Sequence, residues 1–194
     1  MLHVLFSFGT RPEAIKLAPV IKHMQTQPER FRVSVCLTSQ HKELLRQVTE
    51  FFDIREDVDL DTMVHNQTLE HITAAVLMKM RGVLADLRPD VLLVQGDTTT
   101  VFTSALAAFY QKIRVGHVEA GLRTFDRYSP FPEEMNRSLT ASLADFHFAP
   151  TETAADNLRR EGKEGDSIHV TGNTVVDALL YMREKLHNQS QLHA

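Results

Sequence analysis

Several features that mark particular classes of protein are scarce or missing in this chain of 194 residues. It has one cysteine, Cys36, so no disulfide can form within the chain and a reducing, cytoplasmic compartment is expected. No apolar run approaches the roughly 18 residues of a membrane span, and the N-terminal residues lack the cationic start of a signal peptide. The sequence therefore predicts a soluble, intracellular protein without a membrane partner.

An excess of one charge is also missing. The chain has 21 Lys and Arg residues against 25 Asp and Glu residues, for a formal net charge of -4. No bulk field therefore draws the protein to nucleic acid or to an anionic membrane surface, and any anion site must be local.

Metal and nucleotide signatures are absent as well. The histidines form no zinc spacing, the chain lacks the cysteines of a thiolate site, and we expect no metal. Neither the G-x-G-x-x-G dinucleotide fingerprint nor the G-x-x-x-x-G-K-[ST] phosphate loop occurs, which argues against NAD and against a P-loop triphosphate. His117, His147 and His169 fall within predicted strands, where packed imidazoles are expected, although His41 and His117 stay site candidates.

What the sequence does contain is an alternation of short apolar runs and longer amphipathic ones. This pattern predicts one doubly wound α/β domain with a mostly parallel sheet and helices on both faces. A length of 194 residues fits one such domain or half of a larger enzyme. The predicted strands span residues 2–8, 32–38, 90–95, 114–118, 145–149 and 167–171, with an edge strand at 57–61.

Two helix faces show spacings of three and four residues. One comprises Ala14, Leu17, Ala18 and Ile21; the other comprises Leu69, Ile72, Val76, Met80, Val83 and Leu87. Pro19 lies inside the first helix and predicts a kink or a lost hydrogen bond at Ile15. The domain is predicted to span residues 1–186, followed by a polar tail at 187–194.

Polar residues and glycines gather where the strands end. In open parallel sheets ligands bind beyond the carboxyl ends of the strands, so this edge is the expected site. After the first strand, Gly9 permits a sharp turn, and Thr10 and Glu13 have capping-box spacing. Arg11 and Lys16 flank the helix start, where free amides favour an anion such as phosphate. A well-capped helix with two solvated cations is the alternative.

Carboxylates follow two further strands and begin one helix. Asp97 follows a strand at a turn where it could serve as a helix N-cap, and Glu119 ends the next strand, where it needs a ligand or a cation such as Arg123 or Arg137. Glu133 and Glu134 lie at a probable helix start, where acidic residues are common. Their convergence on one edge predicts acid and base chemistry and some raised pKa values.

Seven segments resemble the non-hydrolysing UDP-N-acetylglucosamine 2-epimerases. They span almost the whole chain in the family's order, and the tandem of GHVEAGLRT and PEEMNR is highly specific. The segments are GTRPEAIKLAPVI (9–21), TSQHKELL (38–45), VQGDTTT (94–100), GHVEAGLRT (116–124), YSPFPEEMNR (128–137), APTETAADNL (149–158) and VTGNTVVDALL (170–180).

The resemblance implies a two-domain architecture like that of B-type glycosyltransferases, with the substrate between two Rossmann-like halves. It implies inversion at C2 that interconverts UDP-GlcNAc and UDP-ManNAc. UDP is eliminated, a 2-acetamidoglucal is held, and UDP is added back with a proton on the opposite face. No redox cofactor is implied, and full-length members are expected to be homodimers.

The same resemblance implies roles for particular residues. Asp97, Glu119 and Glu133 match the catalytic carboxylates, without an assignment of acid and base, and Arg11 and Lys16 match substrate-contacting positions. The segment with Gln40, His41 and Glu43 lies where some bacterial members bind a second, activating UDP-GlcNAc.

Family members are expected to be about twice as long as this chain. The C-terminal domain, which the resemblance implies supplies a catalytic histidine and much of the grip on the diphosphate, is absent from this sequence. We therefore expect an N-terminal half with little activity alone, which works only with the missing domain. The alternatives are a stand-alone UDP-sugar-binding or regulatory module, which docks on an intact epimerase, and a hydrolysing epimerase that releases ManNAc and UDP.

Overall fold

The computed structural model describes residues 1–38, 42–62 and 67–191. Within these residues one seven-stranded sheet is flanked by helices. The strands are β1 Leu2–Phe8, β2 Phe31–Leu37, β3 Val58–Asp59, β4 Val91–Gln95, β5 Arg114–Val118, β6 Phe146–Ala149 and β7 Ile168–Val170. The helices are α1 Arg11–Gln25, α2 Lys42–Phe51, α3 Leu69–Leu87, α4 Thr99–Tyr110, α5 Glu133–Leu143, α6 Glu152–Arg160 and α7 Val175–Gln191.

All neighbouring strands are parallel, in the order β3-β2-β1-β4-β5-β6-β7. The predicted doubly wound sheet is therefore confirmed, and the predicted strand ends differ from the observed ones by at most two residues. The order reverses between β1 and β4, because the chain first builds outward to β3 and then returns to the other side of β1. Such a switch point opens a crevice beyond the carboxyl ends of the two central strands.

Both faces of the sheet are covered, as the continuous apolar strands require. Along β1, Val4 and Phe6 pack into the cluster formed with α1 and α2, whereas Leu5 packs into the cluster formed with α3 and α4. This alternation follows the two-residue period of a strand. It fixes the sheet between two helical layers, so a ligand site is expected at an end of the strands.

The helix faces were predicted in most positions. In α1, the four predicted residues Ala14, Leu17, Ala18 and Ile21 are fully buried, and the helix extends past Pro19 to Gln25. In α3, Val76 and Met80 are fully buried, but the core also contains Leu84, which the sequence pattern did not include. Leu69 is 38% exposed, so the predicted face begins one turn too early.

Aspartates at the amino ends of three strands bind the backbone of the neighbouring strand. The carboxylate of Asp57 accepts the Val35 N–H, that of Asp90 accepts the His3 N–H and that of Asp145 accepts the Val115 N–H, each at 2.7 Å. The segment that contains Asp90 reads in the sequence as a generic turn. In the structure it satisfies a strand amide that would otherwise lack a partner at the sheet's end.

The last described helix, α7, packs back onto α1 and α2. The rings of Phe52 and Tyr181 stack with 5.1 Å between centroids, and Lys185 Nζ lies 2.7 Å from the Asp53 carboxylate. The helix extends to Gln191. The domain end predicted at residue 186 and the tail predicted at 187–194 stay predictions. None of the helices in the described ranges is long and apolar enough to cross a membrane.

Candidate active site

Glu119 lies at the centre of the carboxyl edge, directly after β5. Its φ of 66° is in the left-handed region that few residues other than glycine adopt. Lys16 of α1 places Nζ 2.8 Å from Oε1 and 2.6 Å from Oε2 of this carboxylate. The two side chains are only 24% and 12% exposed, so the ion pair is sheltered from water. Strained backbone that supports a sheltered charge is typical of functional sites.

Two amide side chains complete the surroundings of Glu119. Gln95, the last residue of β4, donates from Nε2 to Oε2 at 2.5 Å, and Asn173, after β7, donates from Nδ2 to Oε1 at 2.9 Å. Neither residue is among the site residues predicted from the sequence. The available signals were an amide ending the apolar run VLLVQ and an Asn following a glycine at a strand end. Glu119 is thus held by one cation and two neutral donors from three separate elements.

The cation beside Glu119 is not one of the two suggested from the sequence. Arg123 pairs instead with Glu161, with its Nε 2.6 Å from Oε1. Arg137 pairs with Asp97 and Glu134. Lys16, which was predicted to contact phosphate, neutralises Glu119 in this structure, and its phosphate contact stays a prediction.

Asp97 lies two residues beyond β4, and it is not the cap of α4. The N-cap is Thr98, whose hydroxyl accepts the Val101 N–H at 3.3 Å. Asp97 Oδ2 instead lies 3.5 Å from Arg137 Nε, and its side chain is 32% exposed. Burial raises the pKa of Asp97; Arg137 opposes this shift, whereas the charges of Glu133 and Glu119 add to it. Asp97 is therefore a carboxyl group that holds its proton more readily than an ordinary aspartate.

The two adjacent glutamates at the start of α5 have different roles. Glu134 is buried and accepts the backbone N–H groups of Thr124 and Phe125, so it fixes the loop before the helix. Glu133 is half-buried, and its charge acts on Asp97. Of the pair, Glu133 therefore lies near Asp97 and its catalytic role stays a prediction, while Glu134 holds the loop.

Glu13 is a buried carboxylate that links two of the strand ends. It accepts the Thr10 N–H at 3.0 Å, as the predicted capping box requires. It also accepts the Gly9 N–H at 2.7 Å and the hydroxyl of Thr98 at 2.7 Å. Burial raises the pKa of Glu13, and these hydrogen bonds oppose the shift. Glu13 therefore ties the turn after β1 to the start of α4 rather than facing a ligand.

The remaining predicted residues are exposed or lie outside the described residues. Arg11 is exposed at the first position of α1. Glu43 is exposed in the first turn of α2, whereas Gln40 and His41 lie outside the described residues. The predicted second substrate site at these three positions therefore stays a prediction.

No group of three or more His, Cys, Asp or Glu side chains that could hold a metal ion occurs in the described part of the chain. A groove of about 680 Å³ opens at the opposite, amino edge, between residues such as Phe109, Tyr110 and Ala144. None of the predicted site residues lines this groove. The predicted carboxylates gather instead at the carboxyl edge, where burial and the charges of Glu133 and Glu119 raise the pKa of Asp97. Such an arrangement is suited to general acid and base catalysis.

The chain is similar to known proteins in both sequence and structure. A family model described as UDP-N-acetylglucosamine 2-epimerase matches residues 22–194. The UDP-N-acetylglucosamine 2-epimerase of Salmonella typhimurium is 52% identical over 193 residues, which is 100% of this chain and 51% of that protein. The enzyme of the same name from Neisseria meningitidis is 54% identical over 185 residues, which is 95% of this chain and 50% of that protein.

A solved structure gives the same result in three dimensions. The crystal structure of UDP-GlcNAc 2-epimerase from Neisseria meningitidis bound to UDP-GlcNAc superposes with a TM-score of 0.94 at 52% identity. The superposition covers 97% of this chain and 51% of that one. The chain thus spans about half the length of the curated relatives that it matches.

Proposed function

Because the chain belongs to the UDP-N-acetylglucosamine 2-epimerase family, we propose that it is the N-terminal half of an enzyme that interconverts UDP-GlcNAc and UDP-ManNAc. The observation that carries the proposal is the gathering of Asp97, Glu119 and Glu133 at the carboxyl edge, beside Lys16 and Arg137. Composition and fold are compatible with many functions, whereas this constellation supports proton transfer beside an anionic ligand.

The chemistry explains why such a site needs several carboxylates and cations. The C2 proton of the sugar is not next to a carbonyl and is therefore poorly acidic. Expulsion of UDP by elimination makes its removal feasible and leaves a 2-acetamidoglucal, to which UDP is added back with a proton on the other face. Two proton-transfer groups and positive charge near the leaving diphosphate are required, and no change of oxidation state occurs.

The side chains divide these tasks by environment. The raised pKa of Asp97 suits a group that both gives and takes a proton. Glu119 is held close to Lys16, Gln95 and Asn173, so its orientation is fixed before substrate arrives. In the proposed reaction Lys16 exchanges part of its contact with Glu119 for the diphosphate, and Arg11 contributes positive charge from the first turn of α1.

A second half is part of the proposal, because the relatives are about twice as long as this chain. The described carboxyl edge is open on one side, and α7 exposes Val176, Leu179 and Leu180 to between 47% and 61%. Apolar side chains at this density are costly to leave in water. We propose that a C-terminal domain like that of the relatives covers this edge and α7 and closes the cleft.

A homodimer and a cytoplasmic location are also part of the proposal, and each rests on one observation. Met78, Phe109 and Tyr110 are 56% to 66% exposed on α3 and α4, which supports a homodimer of the assembled enzyme through these helices. Cys36 is a buried free thiol, which supports a cytoplasmic location. Sedimentation of the assembled enzyme at two concentrations tests the dimer, and fractionation of the source cells tests the location.

Incubation with UDP-GlcNAc in heavy water tests the proposed reaction. The chain is tested alone and with a separately made C-terminal half of the Salmonella typhimurium relative. We expect deuterium at C2 and UDP-ManNAc in the mixture, at a rate orders of magnitude above that of either half alone, because half a cleft cannot position the substrate. The second half alone is the control.

Other outcomes separate the alternatives. Free ManNAc and UDP would identify a hydrolysing epimerase instead. Binding of UDP-GlcNAc by calorimetry without any exchange would identify a binding module. A mixture that forms a complex of the two halves but binds neither UDP-GlcNAc nor UDP would refute the proposed site.

A further inference from the structure

His117 is a fully buried side chain at the penultimate position of β5, immediately before the site strand ends. Its Nε2 lies 2.7 Å from the carbonyl oxygen of Gly96, the residue that precedes Asp97. A carbonyl oxygen only accepts hydrogen bonds, so the imidazole donates from Nε2. The contact connects the interior of β5 to the turn that carries a proposed catalytic carboxyl group.

An imidazole is an energetically unfavourable side chain for the sheet interior. Burial lowers the pKa of His117 to about 4, so the ring is neutral near neutral pH and has one N–H, which is used on Gly96. Its Nδ1 has no hydrogen-bond partner among the described residues. An aliphatic side chain would fill this position without an unsatisfied nitrogen, so packing alone does not explain the histidine.

The turn needs such support because of its backbone. Gly96 has a φ of 82°, and no atom lies within 4 Å of the position that a Cβ would take. The peptide between Gly96 and Asp97 is therefore not confined by packing at the glycine. The Asp97 Oδ2 atom lies 3.5 Å from Arg137 Nε, which is long for a charge-assisted hydrogen bond. The direction of the carboxyl group therefore depends mainly on the backbone.

Three hydrogen bonds hold successive backbone groups of this turn. Gly96 N–H donates to the Val118 carbonyl at 3.0 Å, the Gly96 carbonyl accepts from His117, and the Asp97 carbonyl accepts from Asn136 Nδ2 at 2.9 Å. Two of the three contacts come from β5 and one from α5. We infer that His117 is a positioning residue for Asp97, because its Nε2–H fixes the Gly96 carbonyl and with it the direction of the Asp97 carboxyl group.

The inference rests on the proposed function, since positioning of Asp97 affects a reaction only if Asp97 transfers a proton. Its geometric part is tested first in the unaltered chain. Nitrogen-15 spectra of His117 at neutral pH should show the neutral tautomer that has its proton on Nε2. A proton on Nδ1 would overturn the inference, because the Gly96 carbonyl would then face a nitrogen that cannot donate. This measurement needs no variant to fold.

Substitutions then test the effect on Asp97 through its carboxyl carbon-13 titration. His117→Leu removes the donor, and His117→Gln keeps an amide N–H close to the position of Nε2. His147→Leu is the matched control, because it removes an imidazole 1% exposed from the paired position of β6. We expect the Asp97 pKa to fall toward the ordinary aspartate range in His117→Leu, and to stay close to that of the unaltered chain in the other two. An unchanged Asp97 pKa in folded His117→Leu would overturn the inference.

Kinetics of the assembled halves separate this inference from the proposed function. His117→Leu should lower kcat for C2 exchange about tenfold or more while KM changes less than about twofold, because a misdirected acid or base affects the chemical step. His117→Gln should recover most of kcat. If the Asp97 pKa shifts in His117→Leu but kcat does not, the catalytic role proposed for Asp97 is wrong and the hold of His117 on the turn stands.

Discussion

The two ends of the parallel sheet use the same type of side chain in opposite ways. At the amino edge, Asp57, Asp90 and Asp145 are exposed, yet each is bound to a backbone N–H of the neighbouring strand. At the carboxyl edge, Asp97 and Glu119 are more sheltered, yet their ion pairs are with side chains rather than with backbone. A carboxylate bound to backbone is part of the fold, whereas one bound to side chains can change partners when a ligand arrives.

This contrast has an energetic side. A carboxylate on a backbone amide adds to stability at the amino edge. At the carboxyl edge, burial next to other acidic groups raises the pKa of Asp97, so its ionised form is a cost to the folded state. The amino edge should therefore lose stability on substitution, and the carboxyl edge should lose activity.

The largest expected effect is the loss of catalysis at the carboxyl edge. Asp97→Asn and Glu119→Gln, each in the assembled halves, should reduce C2 exchange by about 100- to 10,000-fold, the usual contribution of a general acid or base. Circular dichroism and the melting temperature should show that the fold is kept. Asp145→Asn at the amino edge is the matched control and should exchange at the unaltered rate. Near-normal exchange in either variant would remove that residue from the catalytic set.

The next effect is on stability, at a glycine of the carboxyl edge that is structural. A Cβ at Gly121, where φ is 87°, would lie 2.2 Å from the carbonyl oxygen of Ala154. Gly121→Ala should therefore lower the free energy of unfolding by about 3 kcal/mol or more, since backbone must move in addition to the left-handed strain.

Gly96→Ala is the control for that substitution. Its φ of 82° is similar, but its Cβ would meet no atom within 4 Å, so the loss should be only about 1–2 kcal/mol. Urea denaturation measures both variants. Equal losses would show that the contact with Ala154 is not what requires glycine at position 121.

A smaller effect is expected at the amino edge. Asp90→Ala removes the acceptor of the His3 N–H and should lower the free energy of unfolding by about 1 kcal/mol, without an effect on exchange in the assembled halves. Asp86→Ala, at an exposed position of α3 nearby, should leave stability within about 0.5 kcal/mol of the unaltered chain. A loss of exchange in Asp90→Ala at full folding would contradict the division between the two edges.

The smallest effect concerns the pH dependence of stability. A carboxyl group with a raised pKa binds its proton more tightly in the folded chain, so its ionisation destabilises the fold above that pKa. Asp97→Asn should therefore raise the free energy of unfolding at neutral pH, by about 1 kcal/mol or less. The gain should shrink as the pH falls through the pKa of folded Asp97. Denaturation at a series of pH values measures it, and a gain that grows toward low pH would contradict the raised pKa.

Much of the fold was accessible from the sequence because it depends on local patterns. Apolar runs located six strands and the segment at 57–61 located the edge strand, and the spacing at Ala14, Leu17, Ala18 and Ile21 located a buried helix face. The boundary at Leu69 was misjudged, because periodicity cannot show where the core ends along a helix. The role of Asp90 was also missed, since its acceptor bond to the His3 amide spans 87 residues of sequence.

The residue types of the candidate site could be predicted from the sequence, but the pairs that these residues form could not. Strand ends rich in Gly and charge indicated Asp97 and Glu119, and topology brings such ends together. Nothing local indicated that Lys16 pairs with Glu119, because the two are 103 residues apart in sequence. The different roles of Glu133 and Glu134 were equally hidden, since adjacent residues on a helix differ only in which neighbours surround them.

A single titration tests the contrast between the two edges most directly. The chain, labelled with nitrogen-15 and bound to an unlabelled C-terminal half of the relative, is titrated with UDP-GlcNAc while amide shifts are followed. The amides of Gly96, Glu119 and Asn173 should shift with saturation, and those of His3, Val35 and Val115 at the amino edge should not. Saturable shifts confined to the amino edge, or no shifts at the carboxyl edge when calorimetry shows binding, would contradict the account.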